Sequence, residues 1–389
     1  MDVSRYVNTE KIDFTVEFLT PCFLGGADQN AEVRVAPFKA GLRYWWRVLY
    51  GQKYGDKLKS VEDEIFGTAK SDNKTGMGKS RVIWELVDSR IDYQEEKTIT
   101  SFTKIKYGSD KVYEKISDRD RITHAKIGSK DNRMNILNYL ALGKFTLDDE
   151  NDVNPKNNKP IKKNYRFMKP GSRISFNVRI SSEKKSEIID ALKFFIMFGG
   201  VGGKSRNGFG SMYSKEIDEL LWSRHVDFSK VKNDFPVFSK DFAYLESTAL
   251  RQWDLALTKI GEAYRNTRIS KIENKHHFEK RGLIARPIIP NSYDDNNRGS
   301  DGKIRKDTAP FSTKDRIPKN FYIGVRKEQN DFIGYILILP INFYEDKKLP
   351  VYKEGDYEEV INKMIAGMKS EGLIDNTSKL IENLGGKNE

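Results

Sequence analysis

The chain has 389 residues, 38% hydrophobic and 32% charged, with 68 Lys plus Arg against 56 Asp plus Glu and a formal charge of +12. That length exceeds one ordinary core and predicts two domains, while the basic excess favours a polyanionic partner, nucleic acid before an anionic membrane. The single cysteine, Cys22, excludes an internal disulfide and a thiolate metal cluster and fits a reducing compartment. Residues 1–11 are charged and lack the apolar core of a secretion signal. The longest apolar run, 332–343, is broken by Gly334, Pro340 and Asn342 and is too short to cross a bilayer. A soluble, cytoplasmic protein with no membrane partner is expected.

Residues 12–19 alternate strictly, with Ile12, Phe14, Val16 and Phe18 on one side, and predict a half-buried strand. Thr20-Pro21 ends it, and Gly25-Gly26 opens a polar turn. Pro37 suits a first helical turn, and residues 38–54 follow as a helix with Leu42, Trp45, Trp46 and Leu49 on its apolar stripe. Both tryptophans are read as core rather than as base-stacking groups. The other face carries Lys39, Arg43 and Arg47 four residues apart, a basic ridge along about two turns. A merely solvated face is the plain alternative. Residues 81–87 predict a strand, with 98–107 as its candidate partner. From 108 to 169 the chain is polar and irregular apart from a short helix expected at 135–142, and it reads as an insertion too poor in apolar residues for its own core.

Order returns at 173–180, where Ile174, Phe176, Val178 and Ile180 alternate as a strand. Ser181-Ser182-Glu183 starts a helix whose apolar face is Ile188, Ile189, Leu192, Phe195, Ile196 and Phe198. The next twelve residues, 199–210, hold six of the 29 glycines together with Lys204 and Arg206. Glycine permits positive φ and close approach of main chain to a ligand. With Gly202 and Gly203 giving that freedom, Lys204 and Arg206 charge, and Ser205 and Asn207 hydrogen bonds, the stretch reads as a backbone cradle for phosphate. A flexible helix-to-strand turn is the alternative. Residues 209–213 return as a strand and complete the β-α-β-β-α-β order of a ferredoxin-like unit.

After Trp222 a less regular link leads to a helix at 250–264, a strand at 282–289, a polar loop at 291–316 expected to be mobile, a hairpin of 321–325 with 332–339, and a closing helix at 357–368. That order suggests a second, degenerate unit of similar type. The fold expected is α+β, with an N-terminal domain over 1–215, including the insertion, and a C-terminal domain over 216–389. Residues 385–389 are a tail.

Gly203-Lys204-Ser205 invites a nucleotide-binding reading, but a Walker A loop needs glycine where Phe198 stands and leaves a strand to open a helix, the reverse of this order. His124, His225, His276 and His277 lack metal-ligand spacing, and no Ser/His/Asp or Cys/His set emerges. Asp294-Asp295 and Asp148-Asp149 read as solvated charge. No catalytic residue, metal or cofactor is assigned.

Two stretches with the glycine loop are more specific together than apart: Phe18-Leu19-Thr20-Pro21-Cys22-Phe23-Leu24-Gly25-Gly26-Ala27-Asp28, and Lys39-Ala40-Gly41-Leu42-Arg43-Tyr44-Trp45-Trp46-Arg47. The sequence resembles the RAMP superfamily of CRISPR effector subunits, and within it the first-subunit family of type III-B Cmr complexes. The resemblance is carried by 12–55 and 172–213, with Arg316-Ile317-Pro318 and the 321–339 hairpin as outlying matches. It implies two ferredoxin-like, RRM-like domains with long insertions. It also implies a head position in a crRNA-guided ribonucleoprotein, with crRNA, target RNA and other RAMP subunits as partners. Target cleavage in such complexes is attributed to an Asp in a loop of the repeated backbone subunit; Asp28 lies in a comparable loop, but its glycine-rich surroundings match the non-cleaving head subunit better. The residues expected to hold RNA are Lys39, Arg43, Arg47, Gly202, Gly203, Lys204, Ser205, Arg206 and Asn207. An Asp28-assisted ribonuclease and a protein-interaction scaffold are the rival readings.

Overall fold

The opening alternation becomes a central strand, and the elements that follow arrange themselves around it. The computed structural model of the protein describes residues 7–26, 30–68, 78–95, 124–127, 132–141, 166–222, 235–239, 241–270, 272, 283–284, 319–341 and 355–384. The elements are β1 (Thr9–Phe18), α1 (Ala36–Tyr54), α2 (Leu58–Phe66), β2 (Ile83–Arg90), β3 (Tyr93–Glu95), β4 (His124–Ile127), β5 (Asn132–Asn135) and α3 (Ile136–Leu140). Next come β6 (Arg166–Met168), β7 (Arg173–Ser181), α4 (Lys185–Phe198), β8 (Met212–Tyr213) and α5 (Lys215–Asp218). The second half contributes β9 (Ala243–Glu246), α6 (Trp253–Ser270), β10 (Phe321–Glu328), β11 (Asp331–Ile338), α7 (Asp356–Ser370), β12 (Ile374–Asp375) and α8 (Thr377–Asn383).

Two four-stranded sheets result, ordered β2-β7-β1-β8 and β10-β11-β9-β12, and every pairing in them is antiparallel. In each, the first strand of a strand-helix-strand-strand-helix-strand series lies between the third and the fourth. The two halves therefore repeat one topology. β1 and β7 pair along their whole length, from Thr9 opposite Ser181 to Glu17 opposite Arg173. That register puts Phe14, Val16, Phe18, Ile174, Phe176 and Val178 on one buried face, because side chains alternate along a strand.

α1 and α4 cover that face. Pro37 sits in the first turn of α1 as expected, and Leu42, Trp45, Trp46 and Leu49 are buried with Phe38, Val48 and Tyr50. Aromatic edges lock the two helices together: Phe38 meets Phe195, and Trp45 meets Phe194 and Phe198. Phe198 then reaches the second half, 5.4 Å from the Tyr244 ring and 5.5 Å from that of Tyr335. The larger core thus mixes side chains from both sheets, including Tyr244, Tyr322, Tyr335 and Leu337.

The short helix expected near 135–142 is α3, and it packs on α6 of the second half. A Cβ at Gly261 of α6 would stand 2.6 Å from Ile136 Cγ2 and 2.7 Å from Leu140 Cδ1, so glycine makes the seat for α3. The helix expected at 250–264 runs instead from Trp253 to Ser270. β9, read from sequence as irregular link, is a strand whose four residues are all buried. The strand expected at 282–289 lies outside the described residues except for Leu283 and Ile284, which are buried. Asp28, residues 98–107, most of the 108–169 insertion, the 291–316 loop, His225, His276, His277 and the 385–389 tail also lie outside the described residues.

Candidate nucleic-acid interface

The glycine stretch leaves α4 at Gly199, whose N–H still donates to Phe195 O at 3.0 Å. It then lies flat against the segment that follows β1. Gly203 N donates to Phe23 O at 3.0 Å, Gly210 N to Pro21 O at 2.9 Å, and Thr20 Oγ1 to Gly208 O at 2.8 Å. Two glycines are obligatory for this contact. Gly202 has φ +86°, and a Cβ there would be 2.6 Å from the Phe23 carbonyl; Gly210 has φ +68°, and its Cβ would be 2.1 Å from Val201 O. Positive φ is costly for any residue with a Cβ. The stretch is therefore held in place rather than loose, with main-chain N–H groups of Gly203 and Asn207 spent on Phe23 and Lys204.

Its far side meets the second half. Ile323 N donates to Arg206 O at 3.2 Å, and Asn207 forms an isolated bridge with Ile323. Arg206 Nη1 donates to Lys319 O at 2.7 Å, while its guanidinium carbon lies 5.5 Å from the Tyr44 ring centre and 5.1 Å from that of Tyr322. The two tyrosine hydroxyls hydrogen-bond to each other. Lys319 Nζ donates back to Arg206 O at 3.2 Å and to Asn207 Oδ1 at 2.7 Å, and sits 4.4 Å from the Tyr264 ring. Asn207 Nδ2 donates to Leu140 O of α3 at 2.7 Å. Lys204 and Ser205 occupy the partly exposed turn between these anchors, and Lys204 takes φ +63°. Such a conformation costs a residue with a Cβ about 1–2 kcal/mol.

A family model, RAMP superfamily, matches residues 15–213, just over half of the chain. The chain belongs to the RAMP superfamily. Among curated proteins it is similar to the CRISPR system Cmr subunit Cmr1-2 of Pyrococcus furiosus, 25% identical over 213 residues, which cover 54% of this chain and 97% of that protein. Among solved structures it is similar to apo Cmr1 from Pyrococcus furiosus, with TM-score 0.48 and 15% identity over 94% of this chain and 98% of that one. It is also similar to a chain of the type III-B Cmr-beta complex bound to cognate target RNA, with TM-score 0.47 and 14% identity over 93% and 100% of the respective chains.

The basic ridge of α1 in this RAMP chain is divided by its partners. Lys39 is exposed, and no carboxylate among the described residues pairs with it. Arg43 Nε donates to Glu62 Oε1 at 2.8 Å and Nη2 to Asp63 Oδ1 at 3.1 Å, and Arg47 Nη2 donates to the same Glu62 oxygen at 2.5 Å. Glu62 is 1% exposed. Two of the three cations thus bind α2, a helix the sequence reading passed over although Leu58, Val61 and Ile65 give it an apolar side. Trp45 and Trp46 are both in the core, as expected.

Around Arg206 the seam between the two halves brings together cations. Among the described residues no acid forms an ion pair with Arg206, Lys319 or Arg268. Burial, and then the positive charges of Arg268, Arg206 and Lys204, push the Lys319 ammonium well below its ordinary range. Arg268 donates from Nη1 to Tyr139 OH at 3.1 Å, and its buried Nε has no partner. Spacing could not have revealed Lys319 and Arg268, which lie far along the chain from the loop they face. The described residues contain no group of His, Cys, Asp and Glu able to hold a metal, and no helix among them is long and apolar enough to cross a membrane.

Proposed function

We propose that this RAMP protein is a non-catalytic RNA-binding subunit at the head of a type III-B Cmr CRISPR effector complex. It holds the 3′ part of the crRNA guide and the facing target RNA for antiviral interference, beside other RAMP subunits. Each half is read as a ferredoxin-like unit, divided near residue 215, because both sheets share the same strand order. The relative named as a Cmr subunit supports the assembly. The observation that carries the RNA reading is the seam itself, where Arg206, Lys319 and Arg268 lack carboxylate partners among the described residues.

Backbone recognition needs charge and hydrogen-bond donors rather than a base code when sequence is read by guide pairing. Lys204 and Arg206 supply charge, Ser205 and Asn207 polar groups, and Gly202 and Gly203 the close backbone path. Lys39 extends the surface along α1, while Arg43 and Arg47 meet RNA from positions fixed by Glu62. Exchanging Lys204→Ala together with Arg206→Gln should weaken retention of guide RNA and make its salt dependence shallower. The expected change is about 0.7 in slope per lost phosphate contact on a single strand. A folded double variant with unchanged affinity at every salt concentration would remove the proposal.

A further inference from the structure

We infer that Arg268 and Lys319 complete, with Arg206, a two-sided site that clamps one internucleotide phosphate of bound RNA between the two halves of the chain. The inference deepens the RNA-binding reading and rests on it. Arg206 comes from the glycine stretch of the first half, whereas Lys319 precedes β10 and Arg268 ends α6. Asn207 links the two sides, since its carboxamide oxygen accepts from Lys319 Nζ at 2.7 Å while its nitrogen donates to Leu140 O at 2.7 Å. Tyr139, the residue before Leu140, accepts from Arg268 Nη1 at 3.1 Å, and Arg265 lies 5.8 Å from its ring centre. One short helix thus positions both the amide and the guanidinium.

Two buried donors of this cluster have no hydrogen-bond partner among the described residues. Arg268 Nε is buried without a partner, and so is the Nε of Arg265, a residue 7% exposed. A buried charged donor left unpaired is costly, and the neighbouring cations repel one another. Lys319 has used two of its three N–H donors, on Arg206 O and Asn207 Oδ1. The Glu262 carboxylate, one turn back on α6, acts on both Arg265 and Lys259. A phosphodiester offers two anionic oxygens, which a guanidinium fork and an ammonium can share. Its negative charge would offset the burial and the neighbouring positive charges that depress the Lys319 ammonium. Inorganic phosphate presents the same oxygens, so the test separates the two sources.

The full-length protein is compared with its Arg268→Gln, Lys319→Gln double variant by anisotropy of a labelled twelve-nucleotide oligouridine across salt concentrations, and by melting in chloride or inorganic phosphate at equal ionic strength. The double variant is expected to bind the RNA about tenfold more weakly, with a slope shallower by about 0.7. Exposed Arg173→Gln is expected to leave both unchanged. If the double variant keeps wild-type affinity and slope while the Lys204, Arg206 pair abolishes binding, the clamp is wrong and the RNA reading survives. If the wild type binds no oligouridine, both fall, and a phosphate-dependent melting shift lost in the double variant would then assign the cluster to free phosphate. Should the glutamine variants not fold, Arg268→Lys keeps the charge but not the fork, and unchanged RNA affinity in it overturns the proposal.

Discussion

Replacing Arg206 by alanine tests whether the glycine stretch is a structural seam as well as a surface. The guanidinium touches two aromatic rings, at 5.5 and 5.1 Å, and donates to Lys319 O at 2.7 Å. Each cation–π contact contributes about 0.5–1 kcal/mol at a partly exposed site. A hydrogen bond from a charged donor contributes about 1.5–3 kcal/mol, so the loss should be about 3 kcal/mol. Arg206→Lys keeps charge but cannot both stack and donate in the same geometry, and should lose roughly half of that. Urea unfolding of the purified chain, followed by tryptophan fluorescence, gives both numbers from the midpoint and slope. Because Phe198 packs on Tyr244 and Tyr335 across the seam, the wild type should unfold in one transition and Arg206→Ala should begin to separate the halves. An Arg206→Ala variant within 0.5 kcal/mol of wild type, about the error of such measurements, would refute the seam argument.

Gly202→Ala should cost more than about 2 kcal/mol, since left-handed backbone disfavours a Cβ by roughly 1–2 kcal/mol and the Phe23 carbonyl cannot move aside at 2.6 Å; thermal melting would expose an error if the variant were as stable as wild type. A double-mutant cycle between Arg43→Ala and Glu62→Ala should give a coupling of about 1 kcal/mol or more, whereas additive losses would mean that the α1–α2 pairing is incidental. Stability should hold from neutral pH down to about 5 and then fall. Burial alone would raise the Glu246 carboxyl, yet Arg326, Tyr244 and Asn376 together hold it below the usual range, and Lys53 and Tyr54 do the same for buried Glu187. A carboxylate depressed on folding stabilises above its unfolded value of about 4.3 and loses that contribution as pH falls through the folded one. Glu246→Gln should flatten the acid limb in denaturant midpoints taken at several pH values, and an unchanged limb would contradict the assignment.

Much of the first half was legible because its elements obey simple periods. β1 and β7 alternate cleanly, and α1 and α4 carry apolar residues at helical spacing, so their existence followed from sequence. β9 did not follow, because all four of its residues are buried and a short strand enclosed on both faces shows no alternation. α2 is nine residues long and strongly charged, and its importance lies in Glu62, which only the fold brings to Arg43 and Arg47. The glycine stretch was visible as a special segment, but the residues it packs against were not. Its contacts, Phe23 on one side and Lys319 and Ile323 on the other, come from distant parts of the chain. The same distance hid Arg268 and Tyr139. Helix α3 was found, but its docking on α6 depends on the bare surface at Gly261, which no local pattern announces.

RNA is proposed to lie along the seam between the two halves of this chain. Ultraviolet crosslinking of guide RNA to the purified protein, followed by peptide mapping, reads that directly. The expected crosslinks fall on peptides containing 199–210 and 319–323, with Tyr44, Tyr264 and Tyr322 as the aromatic groups beside Arg206 and Lys319. Crosslinks confined to the open polar face of the first sheet, around Lys11, Arg173 and Arg179, would contradict it.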